Sequence, residues 1–132
     1  IPKDRRVDCD VYLQDIMPST LELAGVEKPV YVEFNSLLKQ ARGERNESEY
    51  KAVYGCYTQL QRMVRTDNYK LIVYPKVPKV LLFDLKNDPL EMNNLSDDTR
   101  YSDALKTMFG QLLNLQQEMG DKLNLRTAFP EL

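Results

Sequence analysis

The sequence predicts an α+β fold in which a small antiparallel sheet of about four strands packs against a long C-terminal amphipathic helix, with an additional N-terminal helix. Two observations lead to this prediction. Four short segments rich in β-branched and aromatic residues follow one another and are separated by turn-forming residues. Behind them, apolar residues recur at alternating spacings of four and three, which is the period of one helix face.

The N-terminal helix is predicted over residues 11–25, because Leu13, Ile16 and further apolar residues recur there at helical spacing. Gly25 is suited to end it, since glycine tolerates the positive φ of a helix C-terminus. Pro18 fits only in the first turn or two of the helix, where its missing N–H matters little. A second, short helix is predicted over residues 37–43, behind a polar cap and before a glycine.

The four predicted strands are 52–57, 61–66, 69–74 and 80–85. Short turns join them, so each strand is expected to pair with the next in a meander. The third strand carries apolar residues on both of its faces, which predicts a central strand that is covered on both sides.

The long helix is predicted over residues 99–119, with Gly120-Asp121 ending it. Its apolar stripe consists of Tyr101, Leu105, Met108, Leu112, Leu115 and Met119.

The bulk composition fits a single folded domain over residues 1–132. A formal net charge of −2 argues against a nucleic-acid binder, which needs a basic face. No apolar stretch is long enough to span a bilayer. The start at Ile1, without Met, leads us to expect a cut inside a longer protein.

Few side chains in this sequence could carry chemistry. It contains no histidine, which removes the commonest general base and the commonest zinc ligand. Cys9 and Cys56 stand apart, and we expect two mostly buried thiols outside any disulfide, although spacing alone also allows a bridge. Arg62, Arg65 and Lys70 are the remaining candidates, with anion binding and ordinary ion pairing both open. The two arginines lie three apart on an extended segment and so point to opposite faces.

Four segments, in this order, resemble motifs of one enzyme family. Residues 15–25 resemble its Asp-hydrophobic-x-Pro-Thr-Leu helix, and residues 35–38 its Gly-x-Ser-Leu-Leu stretch, with Phe34 where glycine is usual. Residues 63–72 are similar to its Val-Arg-Thr-x-x-Tyr-Lys-Leu-Ile strand pair, and residues 82–95 to Leu-Tyr-Asp-Leu-x-x-Asp-Pro-x-Glu-x-x-Asn-Leu. By these motifs the chain resembles the C-terminal subdomain of type I, formylglycine-dependent sulfatases of the alkaline phosphatase superfamily.

The resemblance implies that the chemistry resides in an N-terminal catalytic domain upstream of this chain. There, a Cys or Ser in Cys/Ser-x-Pro-x-Arg becomes formylglycine, and a divalent metal, usually calcium, is bound. Neither Cys9 nor Cys56 is followed by that Pro and Arg, so neither is the modified residue. The resemblance therefore assigns no catalytic residue, metal ligand or cofactor to this chain, and we expect the fragment alone to be inactive.

What the resemblance implies for this chain is a supporting role beside the substrate, a sulfated sugar or an aryl sulfate. The chain would pack against the N-terminal catalytic domain of the same protein, and its loops would border the substrate pocket. The predicted border residues are Tyr57, Gln59, Gln61 and Arg62. A homodimer could form through the surface that the missing domain would cover. A periplasmic or secreted location is implied by resemblance only.

Two other functions stay open at this point. One is a free-standing glycan-binding or interaction module, against which the near-neutral charge argues. The other is a fragment of a related phosphoester or phosphonate hydrolase, which only the upstream nucleophile would distinguish.

Overall fold

The computed structural model describes residues 1–132, which pack as two compact units, Ile1–Lys51 and Ala52–Leu132. The first unit contains short helices, and the second contains a sheet and a long helix. The α+β class is therefore as predicted. That residues 1–132 form one domain which continues an upstream catalytic domain stays a prediction.

In the first unit, helix α1 spans Ile16–Leu23 behind a 3₁₀ turn at Leu13–Asp15, and helix α2 spans Leu38–Arg42. Pro18 is the third residue of α1 and so lies in its first turn, as predicted. Gly25 and Gly43 follow the two helices with φ of +68° and +84°. These are the left-handed conformations that favour glycine at a helix end.

In the second unit, a four-stranded antiparallel meander has the order β1-β2-β3-β4. Its strands are β1 (Val53–Tyr57), β2 (Gln61–Arg65), β3 (Tyr69–Tyr74) and β4 (Lys79–Asp84). Each boundary lies within one residue of its prediction, because aromatic and β-branched runs are separated by residues that favour turns.

Helix α3 spans Ser102–Glu118 and follows a 3₁₀ turn at Thr99–Tyr101. Met119 was predicted to belong to its buried stripe but is exposed, because it lies beyond the last helical residue. Helix α4, Leu125–Ala128, was not predicted, since four residues are too few to show a period. The Asn124 side chain caps it by accepting a hydrogen bond from the Thr127 amide at 3.1 Å.

The core of the second unit lies between one face of the sheet and the helices that follow it. Its buried members are Tyr54, Val64, Leu71, Val73, Leu82, Met108, Phe109, Leu112, Leu125 and Phe129. A smaller buried cluster on the other face contains Ile72, Phe83 and Leu85. Strand β3 contributes to both clusters, which confirms it as a central strand buried on both sides.

The outer edge of β4 is covered by the segment that resembles the Asn-Leu end of the family motif. The Asn94 side chain accepts a hydrogen bond from the Leu82 amide at 2.9 Å, and the Leu95 amide donates to the Leu82 carbonyl at 2.8 Å. These bonds satisfy backbone groups that an edge strand otherwise leaves open to another chain.

Candidate substrate-facing hairpin

The β1–β2 turn carries the residues that the sequence predicts at a substrate border. Tyr57 and Gln61 are opposite each other in the register, and the Leu60 amide donates to the Tyr57 carbonyl at 3.0 Å to close the turn. Thr58 has a φ of +46°, a left-handed conformation that is unfavourable for a β-branched residue. The turn is therefore tight and has a disfavoured backbone geometry at its first residue.

Three of the four predicted residues present their side chains at this turn. Tyr57 is 63% exposed, Gln59 is exposed and Gln61 is partly exposed. Register partners share a face of the sheet, so Tyr57 and Gln61 lie on the same face. An aromatic ring and an amide are thus neighbours across the two strands, and Gln59 is exposed in the turn between them. Whether these side chains contact a ligand stays a prediction.

Arg62 differs from the other three because it is only 4% exposed. Its Nη1 donates to the carbonyls of Thr58 and Gln61, both at 2.7 Å. Its Nε and Nη2 donate to the two carboxylate oxygens of Asp121, the latter at 3.2 Å. Of the two alternatives left open by the sequence, ion pairing is the one present here, and a contact between Arg62 and substrate stays untested.

Asp121 is the acceptor that joins this cluster together. It also accepts a hydrogen bond from the Tyr54 hydroxyl and one from the Leu123 amide at 3.0 Å. Burial raises the pKa of the Asp121 carboxyl, but the hydrogen bonds from Arg62 and Tyr54 outweigh burial and hold it well below its usual range. Burial and donation to Asp121 both raise the pKa of Tyr54. Asp121 is therefore a carboxylate, and Tyr54 a neutral phenol, at neutral pH.

Sequence reasoning missed Tyr54 and Asp121 as parts of this site. Strand alternation could have placed Tyr54 and Arg62 on one face of the sheet. Arg62 is opposite Cys56, and Cys56 lies two residues from Tyr54 on β1, so all three share that face. No signal in the sequence pairs Asp121 with Arg62, which lies 59 positions earlier in the chain.

The other two basic candidates are paired elsewhere on the sheet. Lys70 Nζ lies 2.8 Å from a Glu91 carboxylate oxygen, and Arg65 Nη1 lies 3.9 Å from the other oxygen. Arg65 and Arg62 belong to opposite faces of β2, as predicted, because their register partners Val53 and Cys56 alternate along β1.

The first unit is organised around one buried carboxylate, that of Asp15, which is 0% exposed. It accepts hydrogen bonds from the Tyr12 amide at 2.9 Å, the Asn35 amide at 3.3 Å and the Tyr50 hydroxyl. Burial and this hydrogen bond raise the pKa of Tyr50 to about 12. The bonds connect the helix motif at residues 15–25 to the stretch at residues 35–38.

Metal binding or a disulfide within this chain would depend on its acidic and cysteine side chains, because it has no histidine. No group of three or more histidine, cysteine, aspartate or glutamate side chains is placed to hold one ion. Cys9 and Cys56 form no disulfide, and Cys56 is exposed, so the expectation that both thiols are mostly buried is wrong. None of the helices combines the length and apolar character needed to cross a bilayer.

Comparison with known proteins shows the class of protein to which this fold belongs. The chain is similar to a structure solved in complex with its substrate D-glucosamine-2-N,6-O-disulfate. The TM-score is 0.71 at 28% sequence identity, over 82% of this chain and 24% of that chain. The fold is that of the C-terminal part of a sulfatase.

The family profile for the N-sulphoglucosamine sulphohydrolase C-terminal domain matches residues 1–118, and the chain belongs to that family. The uncharacterized sulfatase YidJ of Escherichia coli K12 is 33% identical over 89% of this chain and 24% of its own length. The Delta 4,5-hexuronate-2-O-sulfatase of Bacteroides thetaiotaomicron is 35% identical over 69% of this chain and 20% of its own length. The chain thus spans a quarter or less of these relatives.

Proposed function

We propose that this chain is the C-terminal part of a sulfatase that hydrolyses sulfate esters of sugars, and that it completes the fold and borders the substrate pocket. The observation that carries the proposal is the family match over residues 1–118. Relatives whose names include a hexuronate 2-O-sulfatase and an N-acetylglucosamine-6-O-sulfatase support a sulfated sugar as the substrate, and a relative named arylsulfatase K keeps an aryl sulfate in the test below.

In this proposal the catalytic groups belong to an upstream domain of the same protein. A formylglycine and a divalent metal, calcium by family resemblance, would supply the nucleophile and the charge stabilisation there. No residue of this chain is assigned to either group, because its cysteines lack the required Pro and Arg and no ligand set is present. We therefore expect the chain to be inactive alone.

The contribution of this chain to catalysis would be recognition of the sugar beside the sulfate. The exposed Tyr57 ring can pack against the apolar face of a sugar, as aromatic rings with one wet end do at binding surfaces. The amides of Gln59 and Gln61 can each donate and accept hydrogen bonds with hydroxyl groups. Arg62 would support the turn from its buried side and not bind the sugar itself, since its guanidinium is bonded to protein carbonyls and to Asp121.

The first test is hydrolysis by the full-length gene product that contains this chain, beside the chain alone. The substrates are an aryl sulfate, a panel of sulfated sugars and a phosphonate monoester. Turnover of a sulfated sugar by the full-length protein only is the expected result. Preference for the phosphonate ester would replace the sulfatase with a related hydrolase, and turnover by the chain alone would refute an upstream catalytic centre.

The border itself is tested by Gln59→Ala and Gln61→Ala in the full-length protein. Loss of one hydrogen bond to a sugar hydroxyl predicts a KM for the sulfated sugar that is about 3- to 10-fold higher. Asn114→Ala is the matched control, because it also removes an exposed side-chain amide, from a position on α3 about two turns before Asp121, whose carboxylate contacts the hairpin. Unchanged kinetics with every sulfated sugar would remove the turn from the substrate border.

A further inference from the structure

The guanidinium of Arg62 is almost fully used by the protein. A guanidinium has five N–H donors. Two donate from Nη1 to the carbonyls of Thr58 and Gln61, and two more donate from Nε and Nη2 to Asp121. One nitrogen therefore bonds both ends of the turn, which fixes the position of Thr58 relative to Gln61.

The turn requires such a support because its backbone is unfavourable on its own. Thr58 has a φ of +46°, and a β-branched residue in this region persists only when its surroundings hold it there. The bond from Arg62 to the Thr58 carbonyl is a contact that does so.

Asp121 supplies the second half of the support from a different element. It follows Gly120, which leaves α3 with a φ of +67°, so the carboxylate is attached to the end of the long helix. It holds the guanidinium through two nitrogens and holds β1 through the Tyr54 hydroxyl. The end of α3 and the hairpin turn are thereby joined through two side chains.

We propose that Arg62 and Asp121 are positioning residues that set the shape of the β1–β2 turn from its buried side. In this proposal neither contacts substrate, because Arg62 lies on the face of β2 opposite to Tyr57 and Gln61 and its guanidinium is bonded to protein groups, Asp121 among them. The effect on substrate rests on the proposed function, whereas the support of the turn does not.

The experiment uses the full-length protein with Arg62→Lys and Asp121→Asn. Lysine keeps the charge, but one ammonium cannot reproduce the planar fork, and asparagine keeps the shape without the charge. Arg100→Lys is the matched control, because it makes the same change in an exposed arginine–aspartate pair, with Asp98, just before the start of α3. The readouts are amide hydrogen exchange at Leu60 and the separate kcat and KM for a sulfated sugar and for a small aryl sulfate.

We expect exchange at Leu60 to rise about tenfold or more in Arg62→Lys and Asp121→Asn, since that amide closes the turn. The KM for the sulfated sugar is expected to rise while kcat changes little. The aryl sulfate is expected to be unaffected, because it lacks the sugar hydroxyl groups that the turn is proposed to bind. Arg100→Lys is expected to change none of these values.

Unchanged exchange in folded Arg62→Lys and Asp121→Asn proteins would overturn the proposal. Faster exchange with an unchanged KM would overturn the link to substrate. If the wild-type protein hydrolyses no sulfate ester, the proposed function fails, and the exchange values alone decide whether the pair holds the turn. If a variant does not fold, Tyr54→Phe removes a single hydrogen bond to Asp121 and is expected to give a smaller rise in exchange.

Discussion

Substituting a single residue in this chain costs the most stability where it leaves a buried polar partner unpaired. A buried ion pair adds little net stability compared with a well-packed apolar pair, because both ions lose their hydration. Removing one partner is different, since the other charge remains buried and unpaired. Arg62 and Asp121 are such a pair, with side chains 5% and 17% exposed.

Asp121→Ala is therefore expected to lower the free energy of unfolding by about 3–5 kcal/mol. Urea denaturation followed by circular dichroism measures it. Glu118→Ala, which removes an exposed acid three positions earlier on α3, is expected to stay within about 0.5 kcal/mol of wild type. Equal losses of unfolding free energy for the two substitutions would show that unpairing Arg62 carries no additional cost.

The Tyr50 hydroxyl provides a pH-dependent contribution to stability in the first unit. Burial and the hydrogen bond to Asp15 raise its folded-state pKa to about 12 from an ordinary value of 10.0. A raised folded-state pKa stabilises the protein below the unfolded pKa, and this stability is lost as the pH rises through the folded value. The loss therefore falls between pH 10.0 and about 12.

Tyr50→Phe is expected to lower stability at pH 8 and to weaken the decline in stability between pH 10 and 12, because no phenol at this position can ionise. Urea midpoints measured across this range provide the comparison. If the urea midpoints of wild type and variant fall equally between pH 10 and 12, Tyr50 does not contribute to the loss of stability at alkaline pH.

At the scale of elements, two glycines differ in what a substitution by alanine would meet: one lies at a helix end and the other inside a helix. Gly43 ends α2 with a φ of +84°, and a Cβ there would meet the Arg5 guanidinium at 2.9 Å. Gly110 lies within α3, and a Cβ there would meet nothing within 4 Å.

Opposite outcomes are expected for the same substitution at these sites. Gly43→Ala should destabilise by about 1 kcal/mol or more, because alanine strains at positive φ. Gly110→Ala should stabilise by about 0.5–1 kcal/mol, because alanine loses less conformational freedom in a helix. Thermal unfolding of the two variants side by side tests the pair, and shifts of the same sign would contradict it.

Elements with a strong local pattern are the part of this fold that could be predicted from sequence. The strands and α3 have runs of apolar residues at a clear period, and their bounds came out within a few residues. Helix α4 has no such run. The Arg62–Asp121 pair was also beyond prediction, because it depends on where the end of α3 meets β2 rather than on any local pattern. Of the candidate site, only the turn's position and its exposed side chains could be anticipated.

At the scale of the whole molecule, the exposed apolar side of α1 is the surface on which another domain of a longer protein could dock. Leu13 is 80% exposed, and Ile16 and Met17 are each at least half exposed on the same side of the helix. Adjacent exposed apolar side chains usually mark a surface for another domain or chain. We propose the upstream catalytic domain as the occupant in the full-length protein.

The isolated chain is accordingly expected to self-associate through this side of α1. The double substitution Ile16→Glu and Met17→Lys keeps the net charge and is expected to give a monomer of 15.4 kDa by sedimentation equilibrium, whereas wild type gains mass with concentration. Val77→Glu, at an equally exposed apolar residue of the β3–β4 turn, serves as the control. A wild-type chain that stays monomeric at all concentrations would refute this use of the surface.

The position of Asp121 has a consequence for how relatives of this chain can diverge. The family profile matches residues 1–118, so Asp121, which holds the hairpin through Arg62, lies beyond the matched range. A relative whose C-terminal segment after residue 118, here called the tail, lacks this aspartate must hold its hairpin through other contacts or have a more mobile hairpin. Tail sequence would then be a place where evolution can adjust substrate recognition without altering either the sheet or the catalytic domain. Hydrogen exchange at the hairpin in a chimera with an exchanged tail would reveal this, and identical exchange in parent and chimera would exclude it.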